Sequence, residues 1–254
     1  MQPLASERTF LGTCALVFLV TVTWTVVECA SMSMMGMPMP GDWMMSMTWM
    51  RMPGQTWSDA ATAFLAMWTV MMVAMMLPSL VPMLRRYRRA AGGPHLGGRT
   101  LLVGAGYVGV WTALGAVAYA VGVTLAELEM RHPAMSRAVP LASGVLVVLA
   151  GVVQLGAWKV RHLACCRRVP GRSVVRADAR AALHHGVRLG LRCACCCAPL
   201  TVLLLVLGVM DLRVMATVTV AITAERLAPA GERVARVIGA VVVVAGLYLI
   251  ERAL

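Results

Sequence analysis

The chain is poor in charge. Asp, Glu, Lys and Arg make up 13% of its 254 residues, about half the share of an ordinary soluble domain. Lysine is nearly absent, one residue against 22 Arg, and acids number 11. Aromatics are scarce at 6%, and the basic stretches have little aromatic interleaving on which bases could stack, which excludes a nucleic-acid partner. G-x-S-x-G, H-E-x-x-H and Walker A patterns are missing, so hydrolase and nucleotide-binding chemistry lack their usual residues. Apolar residues fill the space, at 60%. That is more than a soluble core of this length can hide, and it excludes disorder and fibrous repeats. The class is a single all-α, polytopic membrane domain over residues 1–254, in contact with the lipid bilayer.

Seven apolar stretches are candidate spans: Thr9–Val27, Ala60–Leu84, Thr100–Ala126, Val139–Trp158, Cys193–Met210, Val214–Ala224 and Val234–Ile250. A crossing helix needs about 20 residues. The 11 residues of Val214–Ala224 therefore leave two readings, seven spans or six plus a re-entrant segment. Asp211 and Arg213 separate it from its neighbour and read as a paired turn or, less simply, as a relay group. Thr9–Val27 reads as an uncleaved anchor, because Glu28 stands three residues before any cut after Ala30 and makes Cys29 a poor lipoprotein site.

The basic residues are unevenly distributed. Fourteen of 23 lie in Arg85–Arg99 and Lys159–Arg192. With the N-terminus inside, the inner segments hold 18 of them, as the positive-inside rule requires. Residues 159–192 then form a basic cytoplasmic loop, with Ala177–Leu191 an amphipathic interfacial helix and His184-His185 a solvated pair. Residues 32–57 form an extracytoplasmic loop. Composition and topology together indicate a bacterial cytoplasmic (inner) membrane.

Two clusters stand out. Ten of 21 Met fall between Met32 and Met52, and six of eight Cys between Cys165 and Cys197. The first Cys group is His162-Leu163-Ala164-Cys165-Cys166, the second Cys193-Ala194-Cys195-Cys196-Cys197. Thiolates select soft ions such as Cu(I) and Zn(II), and imidazole suits both. On a helix, Cys193, Cys196 and Cys197 share a face and Cys195 points elsewhere. Both groups sit at helix ends on one side, so they are expected to converge. The alternative is that the thiols are small buried hydrophobes, the reading that fits Cys14 and Cys29. Structural disulfides do not suit a reducing cytoplasmic face.

Thioethers bind Cu(I) without losing a proton, so Met34, Met35, Met44 and Met45 of the loop are candidate ligands in an outer compartment. Pro and Gly argue that this segment is irregular, and Trp43, Trp49 and Trp57 could anchor it at the headgroups. Met71 and Met75, with Met67, form one i, i+4 stripe; Met72 and Met76 form a second. Pro78 follows and frees a backbone carbonyl, a break of the kind at which membrane sites form.

Three segments together resemble the DUF2182 family of predicted metal-binding integral membrane proteins, over about residues 60–228. They are Trp68-Thr69-Val70-Met71-Met72-Val73-Ala74-Met75-Met76-Leu77-Pro78-Ser79, the Cys165-Cys166 pair, and Cys193–Cys197 with Gly208-Val209-Met210-Asp211-Leu212 and Glu225-Arg226. The family pattern places Cys-Leu-x-His-Cys-Arg before Cys-x-Gly-Cys-Cys-Trp. Here His162 stands at the first Cys and Cys165 at the His, so the donor types have traded places; Cys195 replaces the Gly and Ala198 the Trp. The resemblance implies a bound metal and no settled activity, and the Met-rich loop lies outside it. Copper as Cu(I) is the expected ion, with zinc the second choice. A carrier or donor serving a copper-dependent protein or metallochaperone is expected. A thiol oxidoreductase using the vicinal Cys pairs, with Arg167, Arg168 and Arg192 lowering the thiol pKa, and a metal-free assembly subunit are the competing classes.

Overall fold

A computed structural model describes residues 4–32, 36–41, 43–91, 95–167 and 178–254. The described elements are α1 (Leu4–Met32), strands β1 (Gly36–Met39) and β2 (Trp43–Ser46), a 3-10 turn (Met47–Trp49), α2 (Trp57–Ala91), α3 (Leu96–Arg131), α4 (Pro133–Leu155), α5 (Ala157–Arg167), α6 (Ala179–Leu207), α7 (Leu212–Leu227) and α8 (Gly231–Ala253). Six of the helices, all but α5 and α7, are long and apolar enough to cross a membrane. Large side chains such as Leu16, Leu19, Val241 and Val244 lie exposed along α1 and α8; a belt of this kind is a liability in water and the expected surface in lipid. The architecture is an all-α, multi-pass membrane bundle.

With 16 residues, α7 is about 24 Å long, short of a hydrocarbon core of about 30 Å. Among the described residues there are thus six helices of crossing length and two shorter ones, α5 and α7. The Asp211 side chain accepts hydrogen bonds from the backbone N–H groups of Arg213 and Val214, at 2.7 and 3.2 Å, and caps α7, with no ion pair to Arg213 among the described residues. Gly208, at φ 132°, closes α6 and sets the turn between the two helices, a backbone state that other residues reach only with strain.

The basic segments are more helical than expected. α2 continues through Pro78 and Pro82 to Ala91, well into 85–99. Most of 159–192 belongs to α5 and α6, and the expected interfacial helix is the first half of a continuous α6. The bilayer limits the length of an apolar run, whereas backbone hydrogen bonding lets the helix continue into water. His185 accordingly stacks on Tyr87 of α2 at 5.3 Å rather than lying in solvent.

The Met-rich segment is also more ordered than its Pro and Gly suggest. β1 and β2 pair antiparallel, Met37 opposite Met45 and Met39 opposite Trp43. The hairpin is pinned to the start of α4, where the Trp43 indole donates to the Ser136 carbonyl (3.0 Å) and the Ser136 hydroxyl to the Pro40 carbonyl (3.0 Å). Trp49 packs against Phe64 of α2 and over Gly122 of α3. The far end of the bundle is tied by Arg85 and Glu7, which pair the close of α2 with the start of α1.

Small residues set the helix contacts. Gly144 and Gly151 of α4 face Gly246 and Gly239 of antiparallel α8, so closely that a Cβ on Gly151 would lie 2.8 Å from the Val243 nitrogen. Gly106 of α3 meets α6 in the same way: a Cβ there would stand 2.5 Å from the Leu183 carbonyl oxygen. Backbone-to-backbone approach of this kind replaces the hydrophobic drive that lipid removes. Residues 104–109 spell G-x-G-x-x-G but lie inside α3, with helix on both sides, and Gly106 serves helix packing. Gly106→Val is expected to lower the thermal unfolding midpoint in detergent by several degrees, in line with an overpacking cost of about 1–3 kcal/mol. Gly104→Ala, where a Cβ meets nothing within 4 Å, should leave the midpoint within a degree or two.

Candidate metal site

α6 presents Cys193, Cys196 and Cys197 on the face it turns to the core, where all three are fully buried, and Cys195 on the opposite, exposed face. The Cys193 and Cys197 sulfurs are 3.8 Å apart. α5 packs beside α6 and contributes Cys166, also buried. The four thiols are near neighbours: Cys193 and Cys197 touch, Cys196 lies close to Cys197, and Cys166 lies close to Cys196. Cys166 also donates to the Arg192 carbonyl at 2.9 Å.

The other members of the first group do not join them. The His162 Nδ1 lies 2.8 Å from the Trp158 carbonyl oxygen in its own helix, and its ring packs on the Trp158 indole at 4.1 Å. Cys165, one residue from Cys166 and so turned by about 100° on the helix, is half-buried. The expected convergence therefore brings together four thiols, without His162, Cys165 or Cys195. Among the described residues, no three His, Cys, Asp or Glu side chains are already arranged to hold a metal ion. Taken in order of contact, Cys166, Cys196, Cys197 and Cys193 make up a row of thiols.

Charged residues surround this row. The chain's one lysine, Lys159 on α5, has no exposed surface. It donates to the Cys196 carbonyl at 2.8 Å and lies 2.6 Å from a Glu225 carboxylate oxygen. Gln154 of α4 bonds the same carboxylate. Next to Glu225 on α7, Arg226 reaches across the bundle: one amino group donates to the Ser79 hydroxyl (2.8 Å) and the Cys193 sulfur (3.0 Å), the other to the Met83 sulfur (3.0 Å). The Tyr107 hydroxyl donates to the same Cys193 sulfur at 3.0 Å. Ser79 also donates to the Met76 carbonyl beside Pro78, so this turn of α2 helps to position Arg226.

Lys159, Gln154, Tyr107, Glu225 and Arg226 are thus part of the site. Two signals in the sequence point to them: a lone lysine in an arginine-rich chain, and an acid–base pair closing an otherwise apolar helix.

The methionines divide. Met71, Met72, Met75 and Met76 are all buried in the core of the bundle. Met72 and Met76 line a largely apolar cavity of about 720 Å³ between α1, α2 and α3, which Met71 and Met75 do not line. In the hairpin, alternation puts Met45 inward, 2% exposed, and Met44 outward, 61% exposed. Adjacent in sequence, these two face opposite ways. Met34 and Met35 lie outside the described residues.

Removing one partner of a buried ion pair leaves the other charged in a dry interior, at a cost of about 3–5 kcal/mol. Glu225→Gln should therefore destabilise the detergent-solubilised protein strongly, seen as a large drop in its unfolding midpoint. Glu225→Gln combined with Lys159→Met should regain most of that loss. A double variant no more stable than the single one would remove the pair from the centre of this network.

A family model for PpoB2, described as a copper chaperone, matches residues 65–249. No curated protein and no solved structure matches the chain. The matched residues contain all four clustered thiols, the Met stripes of α2 and the Lys159–Glu225–Arg226 network, and exclude α1 and the hairpin.

Proposed function

The chain belongs to the PpoB2 copper chaperone family, and from that premise we propose that it is a bacterial inner-membrane protein that holds copper as Cu(I) on the buried thiols of Cys166, Cys193, Cys196 and Cys197 and passes it to a copper-dependent partner protein. The observation that carries this reading is the charge around the thiols. Lys159 pairs with the buried Glu225 carboxylate, whereas the buried Arg226 turns to Ser79, Met83 and the Cys193 sulfur, so these three charged groups are one positive charge in excess. A Cu(I) ion held by two thiolates is a complex of charge −1 and supplies the missing anion in a place where an unpaired charge is costly.

Loading needs no redox step. Two thiols give up their protons to water as two copper–sulfur bonds form, and the ion stays Cu(I). Release is ligand exchange, in which each bond from copper to a partner's sulfur or nitrogen forms as a bond to one of these thiolates breaks. Cu(I) is satisfied by two or three soft donors, so a row of thiols suits it. Structural Zn(II) asks for four ligands around one centre, which this row does not present without rearrangement. Arg226 and Tyr107, both bonded to the Cys193 sulfur, stabilise it as a thiolate.

Copper bound per protein after anaerobic loading and desalting tests this directly. Cys196→Ser/Cys197→Ser should hold less Cu(I) than the wild type while still reaching the membrane. Undiminished copper in that variant would leave the four cysteines as packing residues.

In this reading the hairpin end faces the periplasm and the α5 end the cytoplasm, from the basic bias of the segments. On a background without native cysteines, Met44→Cys should react with a membrane-impermeant maleimide in intact spheroplasts. Gly98→Cys, exposed at the start of α3, should react only after lysis. The opposite pattern would invert the orientation.

A further inference from the structure

At the hairpin end, away from the four thiols, three other sulfur atoms meet. The Cys29 thiol, near the close of α1, lies 3.7 Å from the Met215 sulfur and 3.9 Å from the Met210 sulfur. All three residues are buried. They come from separate segments: Met210 from the turn that Gly208 opens, Met215 from the start of α7, Cys29 from α1. We infer that Cys29, Met210 and Met215 form a second binding site for a soft monovalent metal ion, Cu(I), at the end of the bundle opposite the thiol row. The choice of ion rests on the copper reading above; the site itself does not depend on the thiol row.

Geometry supports the site. Three sulfur ligands in a trigonal plane, with metal–sulfur bonds near 2.3 Å, stand about 4.0 Å from one another. Both measured separations are within a few tenths of an ångström of that spacing, so the cysteine has little distance to travel. Methionine used only as filler packs through its methyl and methylene groups, whereas here two thioether sulfurs are turned onto one thiol.

Charge selects the ion. On binding, the Cys29 thiol loses its proton to solvent and a sulfur–copper bond forms; the methionines contribute neutral lone pairs. One thiolate and one Cu(I) make a neutral unit, the cheapest form of an ion to bury. A divalent ion would leave a net positive charge on soft donors that suit it poorly. The carboxylates of Glu28 and Asp211 lie near enough to act on Cys29 electrostatically, which favours a cation on approach. Met215 and Arg226 are eleven residues apart on α7, so about 16 Å of helix rise separates the level of this triad from that of the thiol row.

Cysteine at position 29 falls outside the residues that match the family model, whereas Met210 and Met215 fall inside them.

The test is a titration of purified full-length protein with Cu(I), anaerobically, against a chromogenic Cu(I) chelator. Met210→Leu/Met215→Leu and Cys29→Ser should each hold one equivalent fewer than the wild type. Cys196→Ser/Cys197→Ser should keep the triad's equivalent, and the variants combined should lose both. Hairpin methionines are present throughout, so the difference reports the triad alone. Leu preserves volume at both Met positions, so the double Met variant decides the matter if Cys29→Ser does not fold. Unchanged copper in the double Met variant overturns the site. Unchanged copper in Cys196→Ser/Cys197→Ser would instead overturn the thiol row and leave the triad standing.

Discussion

The interior of this bundle is organised by the need to satisfy one guanidinium. Arg226 is buried and cannot shed its proton, so its two amino groups call on the surrounding helices for partners, while its Nε has none among the described residues. α2 supplies the Ser79 hydroxyl and the Met83 sulfur, and α6 supplies the Cys193 sulfur. Its neighbour Glu225 requires Lys159 of α5 and Gln154 of α4. Two adjacent residues of the short helix α7 therefore fix five elements relative to one another, in a medium where no water can stand in for a missing partner. The thiols lie in the middle of this arrangement, which gives the basic groups a chemical purpose as well as a structural one.

The bundle itself was legible in the sequence, because apolar run length is a direct statement about solvent. The spacing of Cys193, Cys196 and Cys197 was legible too: three residues on one helical face are a matter of geometry alone. What could not be read is where α5 begins and which way it faces. Gly156 ends α4 before the expected boundary and lets α5 present Cys166 and Lys159 inward while His162 packs on Trp158. A count of apolar residues has no term for that rotation. The same limit applies to the hairpin, whose register puts Met45 inside and Met44 outside.

Cys29 shows a different limit. Taken singly, a cysteine at the end of a hydrophobic helix is a packing residue more often than not. Its partners are some 180 residues away, and Met210 and Met215 are themselves unremarkable in an apolar chain. Only the way α1 packs against the α6–α7 turn brings the three sulfurs together. The family match covers neither α1 nor the hairpin, though it includes Met210 and Met215.

The glycine seam between α4 and α8 has a mechanical consequence. Gly144 and Gly151 stand seven residues apart, as do Gly239 and Gly246, so the two helices mesh like matched notches. Sliding by one turn would drive Val148 or Val243 into opposing backbone, and the next free setting lies a full seven residues away. Those helices are latched against axial travel. α7, which has no glycine, is held by the polar bonds of Glu225 and Arg226 instead of a seam, and it carries Met215 near one end and Arg226 near the other. A small displacement along its axis would be felt at both groups of sulfur atoms at once, as a rod transmits a push.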